Sequence, residues 1–331
     1  MAPRHVTRDQ LAGAARAALG GGRRLEVVER LTGGTTKGVY RLTMDDATTA
    51  IAYLWNEAEN YWPATDWDGD LANPFSPGRG LDLYETVHAR LDALGLRVPI
   101  VYLTDRDRTH YPADIAIVED FPGDDLEERF VKDPRAVEST MDRLREALET
   151  MRVYRAPTYG KIAHIDRGGT PRGSSCEGVV LEFALRCVGQ AAERDPRVAK
   201  ARDRLEERLR ELAAAVQPRT EYSVVHGELG LGHVMVDRDG VPVLIDVEEM
   251  MYFDVEWEHA FMRNILGDDY PQVAVPDLDE DRLALYTLAE HISLTAGPLR
   301  LLDGDYPNRA FMQRIIEYNL GQALLLAQAQ P

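Results

Sequence analysis

Residues 226–228 read His-Gly-Glu, and His233 follows five residues after the glutamate. Further along, a short apolar run ends in Asp246, and Glu248 comes two residues later. Glu228 could accept a proton from a substrate hydroxyl, whereas Asp246 and Glu248 carry the carboxylate oxygens that Mg²⁺ prefers. A base and a metal holder are two of the three parts that phosphoryl transfer needs, and the third is a cradle for a nucleotide.

A glycine-rich stretch at residues 33–38, Gly-Gly-Thr-Thr-Lys-Gly, is the candidate cradle. Backbone N–H groups at Gly33 and Gly34 could approach phosphates closely because glycine has no side chain. Thr35 and Lys37 follow in the same turn. Lys37 is the only lysine among the first 131 residues. It either reaches phosphate from this turn or is a solvated turn lysine.

The surrounding elements change in character along the chain. Residues 8–19 predict a helix, and residues 25–57 predict three antiparallel strands broken by the glycine-rich turn and by a hairpin turn. A helix at 81–94 and two more strands before residue 121 follow. From about residue 124 the pattern is mostly helical, with three short strands between residues 222 and 248 separated by turns. The pattern therefore predicts an α+β chain that changes from strands to helices near residue 123.

This order and these motifs resemble the aminoglycoside phosphotransferase family of the protein-kinase-like fold, over about residues 24–265. The family's loop reads H-G-D-x4-N and is followed by I-D, where this chain has His226-Gly227-Glu228, His233 and Ile245-Asp246. The resemblance implies a bilobal fold. Residues 1–122 would form a nucleotide-binding N-lobe with a small antiparallel β-sheet, and residues 123–331 a larger, mainly helical C-lobe for catalysis and substrate binding.

The resemblance also implies a set of site residues for ATP and Mg²⁺. Glu228 would act as the base, and Asp246 would hold the metal together with His233 and Glu248. Since a histidine nitrogen suits Mg²⁺ poorly, Mn²⁺ is an alternative ion. The nucleotide would contact Gly33, Gly34, Thr35 and Lys37, and its adenine would meet backbone groups between Glu119 and Phe121. His226 and Asp254 are expected to have structural roles.

Three positions depart from the family pattern. Glu228 stands for the usual Asp, His233 stands for the usual Asn, and Tyr53 lies where the third strand usually carries a lysine paired with a helix glutamate, here Glu85. The extra methylene of Glu228 moves its carboxylate by more than about 1 Å. An alternative is therefore a pseudokinase-like binding or regulatory protein without turnover, and another is a kinase of peptide Ser or Thr.

The net charge is −18, from 56 acidic and 38 basic side chains. Such a charge disfavours nucleic acid and anionic membranes and favours a cationic substrate, although it also serves solubility. The expected acceptor is a small cationic molecule such as an aminoglycoside or another basic antibiotic. The sequence shows no signal peptide or membrane span, so a cytoplasmic location is expected. No pattern indicates the oligomeric state.

Overall fold

The computed structural model of the chain describes residues 6–32, 34–63 and 69–328. The chain forms two compact units. Unit 1 comprises Met1–Trp62, Gly78–Thr140 and Leu231–Glu248, and unit 2 comprises Pro63–Pro77, Met141–Gly230 and Glu249–Pro331. Neither unit is continuous in sequence. The division into lobes at residue 122 stays a prediction.

Ten helices and ten strands lie in the described residues. The helices are α1 Arg8–Leu19, α2 Leu81–Ala93, α3 Leu126–Lys132, α4 Glu138–Val153, α5 Ile162–Ile165, α6 Cys176–Ala192, α7 Pro196–Ala215, α8 Val255–Leu266, α9 Glu280–Asp303 and α10 Arg309–Leu326. The strands are β1 Leu25–Arg30, β2 Gly38–Met44, β3 Thr49–Trp55, β4 Val101–Asp105, β5 Asp114–Glu119, β6 Gly160–Lys161, β7 Ser223–Val225, β8 Val234–Val236, β9 Pro242–Leu244 and β10 Met251–Phe253. The predicted α+β class is confirmed.

Unit 1 is built on a five-stranded antiparallel sheet in the order β1-β2-β3-β5-β4. Side chains of β2 alternate between buried and half-buried positions, as the period of a strand requires. Helix α1 begins where Gln10 Oε1 accepts a hydrogen bond from the Thr7 backbone N–H at 2.9 Å. It buries Leu11 and two alanines in the same core cluster as side chains of β1, β2, β3 and β5. The three predicted front strands and both predicted helices are present.

A β8–β9 hairpin also belongs to unit 1. The Asp237 carboxylate accepts hydrogen bonds from the backbone N–H groups of Asp239 at 2.9 Å and Val241 at 2.8 Å, which forms the predicted turn. The hydroxyl of Thr140 donates to the Gly240 carbonyl at 3.0 Å, and the N–H of Leu244 donates to the Arg97 carbonyl at 3.0 Å. These long-range bonds explain why residues 231–248 group with the sheet.

Unit 2 consists mainly of helices α6 to α10 and a small antiparallel sheet in the order β6-β10-β7. The sequence pattern placed β7 in one series with β8 and β9, but β7 pairs with β10, where Val225 faces Met251. Strands β6 and β10 were not anticipated; they are two and three residues long, and β10 is paired with β6 and β7. Within the described part of the chain, no helix is long and apolar enough to cross a membrane.

Candidate functional site

Asp246 lies two residues after the end of β9, in an uncommon backbone conformation. Its φ is +61°, in the left-handed region that few residues other than glycine adopt. The preceding Ile245 is fixed by a hydrogen bond from its N–H to the His233 carbonyl at 3.1 Å. A single helical turn, Val247–Glu249, follows. Backbone strain of this kind concentrates at functional sites. The conformation is therefore consistent with a functional role for the Asp246 carboxylate, which is about half exposed.

Lys37 reaches both predicted metal-holding carboxylates from the glycine-rich turn. Its Nζ donates to Asp246 Oδ1 at 2.7 Å and to Glu248 Oε1. The ammonium also lies 4.8 Å from the centroid of the Tyr53 ring. Lys37 and Glu248 are both buried, so the alternative of a solvated turn lysine is wrong.

The electrostatics of this group keep Lys37 charged. Burial by itself lowers the pKa of Lys37, but the negative charges of Asp246 and Glu248 outweigh it, and the net result is a raised pKa. Burial raises the pKa of Glu248, and the Lys37 ammonium opposes that rise. The pair is therefore a buried ammonium held against a desolvated carboxylate.

The contacts of Lys37 with Asp246 and Glu248 indicate whether these carboxylates suit a metal ion. The ammonium acts as a stand-in cation, because one positive group touches oxygens of both carboxylates at once. His233 Nε2 lies 3.7 Å from the other Asp246 oxygen, Oδ2. No set of three or more His, Cys, Asp or Glu side chains among the described residues is arranged to hold a metal. A pair of carboxylates fits Mg²⁺, which is often held by one or two carboxylates plus substrate phosphates and water.

The glycine-rich turn is tightly packed. A Cβ at Gly34 would lie 2.5 Å from the Lys37 carbonyl oxygen, and one at Gly38 would lie 2.7 Å from Glu59 Cδ. Thr35 is anchored, because its carbonyl accepts from the Tyr61 N–H at 2.9 Å and its hydroxyl oxygen accepts from Trp62 Nε1 at 3.1 Å. Gly33, also predicted to contact nucleotide, lies outside the described residues.

The residues predicted to meet adenine have side chains already engaged in unit 1. Glu119, the last residue of β5, accepts hydrogen bonds from Arg97 Nη2 at 2.6 Å and from the Ile100 N–H at 3.1 Å. The Phe121 ring is buried, and its centroid is 5.4 Å from the Arg97 guanidinium carbon. Adenine would then contact only backbone groups of this segment, and that role stays a prediction.

In unit 2, the loop that carries Glu228 is organised by Glu258 of helix α8. The Glu258 carboxylate accepts hydrogen bonds from the N–H groups of His226, of Gly227 at 3.2 Å and of Leu229 at 3.1 Å. Gly227 has φ +91°, which a residue with a side chain rarely adopts. The Glu228 side chain is exposed. Thus three hydrogen bonds hold the backbone of the loop, while the side chain of its candidate base is exposed.

A second glutamate of unit 2 lies near this loop and was not predicted. Glu290 of helix α9 is buried, and its Oε1 has no hydrogen-bond partner among the described residues. Burial raises the pKa of Glu290 well above its usual value, and the charges of Glu228 and Glu258 raise it further. Nothing in the local sequence marks Glu290. Glu258 lies where the resembled family has the aspartate of a D-L-A helix start, but its hydrogen bonds to a loop about 30 residues away were not predicted.

Asp254 has surroundings that suit a structural role. It is fully buried and accepts hydrogen bonds from Arg282 Nη1, from the Tyr286 hydroxyl at 2.5 Å and from Arg219 Nη1 at 3.4 Å.

In unit 1, Glu85 of helix α2 pairs with Arg106. Glu85, the helix glutamate that the family pairs with a strand lysine, therefore has an arginine as its partner here, whereas Lys37 contacts Glu248.

Comparison with known proteins identifies relatives of this architecture. A family model described as a phosphotransferase enzyme family matches residues 27–293. A solved structure of a thermostable aminoglycoside phosphotransferase APH(4)-Ia is 15% identical, with a TM-score of 0.61, over 90% of this chain and 95% of that one. Choline kinase LicA from Streptococcus pneumoniae is 15% identical, with a TM-score of 0.60, over 95% of this chain and 99% of that one.

A third similar structure is spectinomycin phosphotransferase APH(9)-Ia in complex with ADP and spectinomycin. It is 14% identical, with a TM-score of 0.62, and the match covers 98% of this chain and 99% of that one. At identities of 14–15%, the similarity to these structures shows a shared fold. No match to a curated protein was found.

Proposed function

Because the chain belongs to the phosphotransferase enzyme family, we propose that it transfers the γ-phosphoryl group of ATP to a hydroxyl of a small, cationic acceptor. The observation that carries the proposal is the pair of carboxylates, Asp246 and Glu248, whose oxygens contact one shared cationic group. Two hard oxygen ligands near a phosphate-binding turn suit a metal–nucleotide complex.

Each site residue would have a distinct role in this reaction. Glu228 would accept the proton of the acceptor hydroxyl while the hydroxyl oxygen bonds to the γ-phosphorus and the bond to the ADP oxygen breaks. Asp246 and Glu248 would hold Mg²⁺ or Mn²⁺, with His233 next to Asp246. When bound, the metal would neutralise phosphate charge. Lys37, Thr35 and backbone groups of the glycine-rich turn would contact the phosphates.

Three observations support a cationic acceptor. The protein carries a net charge of −18, which attracts cations over long distances. In unit 2, the candidate base Glu228 is an exposed acidic side chain, which a cationic group of the acceptor can approach. In addition, one of the similar structures is an aminoglycoside phosphotransferase and another a choline kinase, and aminoglycosides and choline are cationic. An amine-bearing alcohol or an aminocyclitol antibiotic is the acceptor class to test first.

The test compares two aspartates that share a left-handed backbone. Asp246 and Asp277 have φ values of +61° and +59°, and Asn tolerates that conformation well. Asp246→Asn should lower divalent-metal-dependent ATP turnover by roughly 10²-fold or more, because it removes a charged ligand. Asp277→Asn, at an exposed position, should retain wild-type turnover.

Turnover is measured as ADP release with a panel of cationic alcohols and with a Ser/Thr peptide. Retained turnover in Asp246→Asn would overturn the assignment of Asp246. Phosphate transfer to the peptide alone would favour the protein-kinase alternative. Binding of nucleotide by the wild-type protein, with no turnover on any acceptor, would favour the binding or regulatory alternative.

A further inference from the structure

Lys37 carries its charge inside the protein although it belongs to a turn. Its side chain is 5% exposed, and its ammonium is shared by Asp246 Oδ1 at 2.7 Å and Glu248 Oε1. The ring of Tyr53 covers it at 4.8 Å from the centroid. An ammonium in this position fills the same oxygens that a divalent cation would need.

A divalent ion and the ammonium therefore compete for one pair of carboxylates. Two positive groups within a few ångströms of each other repel strongly where water is scarce. Glu248 is almost completely shielded from water, with 5% of its side chain exposed, so the repulsion there is little screened. The metal can gain both oxygens only if the ammonium leaves them.

The chain allows the ammonium to leave while the turn stays in place. Thr35 is tied to Tyr61 and Trp62 by hydrogen bonds of 2.9 and 3.1 Å, and Gly34 packs against the Lys37 carbonyl. Lysine holds its charge at the end of a flexible four-carbon stem with three donors. Phosphate groups bound at the turn would offer the ammonium a replacement for the carboxylates.

We propose that Lys37 couples metal binding to nucleotide binding: its ammonium occupies Asp246 and Glu248 in the nucleotide-free protein and transfers to the phosphates when nucleotide binds, which frees both carboxylates for the metal. Lys37 is then a positioning residue as well as a phosphate contact. This inference rests on the proposed function, because it assigns the carboxylates to a metal–nucleotide complex.

The decisive measurement is the affinity for Mn²⁺ alone, followed by electron paramagnetic resonance of free Mn²⁺ without any nucleotide. Lys37→Met should bind Mn²⁺ at least about tenfold more tightly than the wild-type protein, because the competing charge is gone. If Lys37 only supported the structure, the same change would loosen the site and weaken Mn²⁺ binding. Lys132→Met is the matched control, since Lys132 is exposed and pairs with Asp124. It should bind Mn²⁺ as the wild-type protein does.

A second pair of variants covers the case in which Lys37→Met does not fold. Removing both members of a buried ion pair is better tolerated than removing one. Lys37→Met/Glu248→Gln should therefore bind Mn²⁺ more tightly than Glu248→Gln, in which the ammonium still holds Asp246. Equal or weaker Mn²⁺ binding in the variant that lacks Lys37 overturns the inference.

Nucleotide binding separates this inference from the proposed function. Calorimetric titration of ADP should show that the wild-type protein binds the nucleotide and that Mn²⁺ strengthens its binding. In Lys37→Met, ADP should bind more weakly, and Mn²⁺ and ADP should enhance each other less. If the wild-type protein binds neither ADP nor Mn²⁺, both the proposed function and this inference fail. If the wild-type protein binds ADP and Mn²⁺ but Lys37→Met binds both as the wild-type protein does, this inference alone fails.

Discussion

The carboxylate of Glu258 accepts a hydrogen bond from the backbone N–H of Leu229 at 3.1 Å, although the two residues are 29 positions apart in sequence. Two more N–H groups of the same loop donate to this carboxylate. An ionised acceptor with several backbone donors is among the stronger hydrogen-bond arrangements in proteins. Glu258 therefore sets the position of Glu228 without being part of the loop.

Replacing Glu258 by Gln tests this positioning role. The amide keeps the shape of the carboxylate, but its nitrogen cannot accept a hydrogen bond. We expect the free energy of unfolding to fall by about 1–3 kcal/mol. We expect kcat to fall by about 10²-fold, because a displacement of about 1 Å at the base is costly. The KM for ATP should change little. Urea unfolding and steady-state kinetics measure these effects.

The control for this variant is Glu280→Gln, at an exposed glutamate of helix α9. It should leave both stability and kcat close to those of the wild-type protein. A Glu258→Gln protein that is less stable but has an unchanged kcat would show that Glu258 supports the fold without positioning the base.

Glu290 predicts an unusual dependence of stability on pH. Burial and the neighbouring carboxylates raise the pKa of Glu290 well above 4.5. A carboxyl with a raised pKa in the folded protein contributes stability below its unfolded pKa and loses it as pH rises through the folded value. Glu290→Gln keeps the shape of the protonated acid and should remove this loss.

We therefore expect Glu290→Gln to gain stability relative to the wild-type protein as pH rises from 5 to 8, reaching about 1–3 kcal/mol. Urea unfolding at several pH values measures the difference. A difference that stays constant over this range would contradict the raised pKa of the buried Glu290.

The lowered pKa of His259 predicts that stability falls as the pH decreases, which is the opposite of the dependence expected from Glu290. Burial lowers the pKa of His259 from 6.5 to about 4, and the Nδ1 atom pairs with the Tyr270 hydroxyl at 2.9 Å. Stability linked to this histidine is present above pH 6.5 and lost as pH falls towards 4. Between pH 7 and pH 5 the loss should be about 2 kcal/mol.

His259→Asn should remove that loss, because the Asn amide can replace the Nδ1 contact and does not titrate. The measurement is the free energy of unfolding at pH 7 and pH 5, compared between the variant and the wild-type protein. Tyr270→Phe is the control, since it removes the hydrogen bond but keeps the histidine and should keep the pH-dependent loss. Parallel pH profiles for the wild-type protein and His259→Asn would contradict the prediction.

Most of the fold was predictable because it depends on short-range patterns. Strand β2 alternates, helix α1 has a capping residue and an apolar face, and the β8–β9 turn has the Asp-to-Gly sequence of a hairpin. Strands β6 and β10 were missed because their pairing, and not their own composition, creates them. A backbone of two or three residues becomes a strand only when a neighbouring strand supplies its hydrogen bonds.

The candidate site also has features that the sequence predicted and features that it did not. The sequence by itself determined which residue types are present: the His-Gly-Glu loop, the aspartate after β9 and the lysine in the glycine-rich turn. Tertiary structure alone decided that Lys37 is buried against Asp246 and Glu248, more than 200 residues away, and that Glu258 holds the loop. The physical reason is that burial and ion pairing depend on which distant segments fold together, and no local period records that choice.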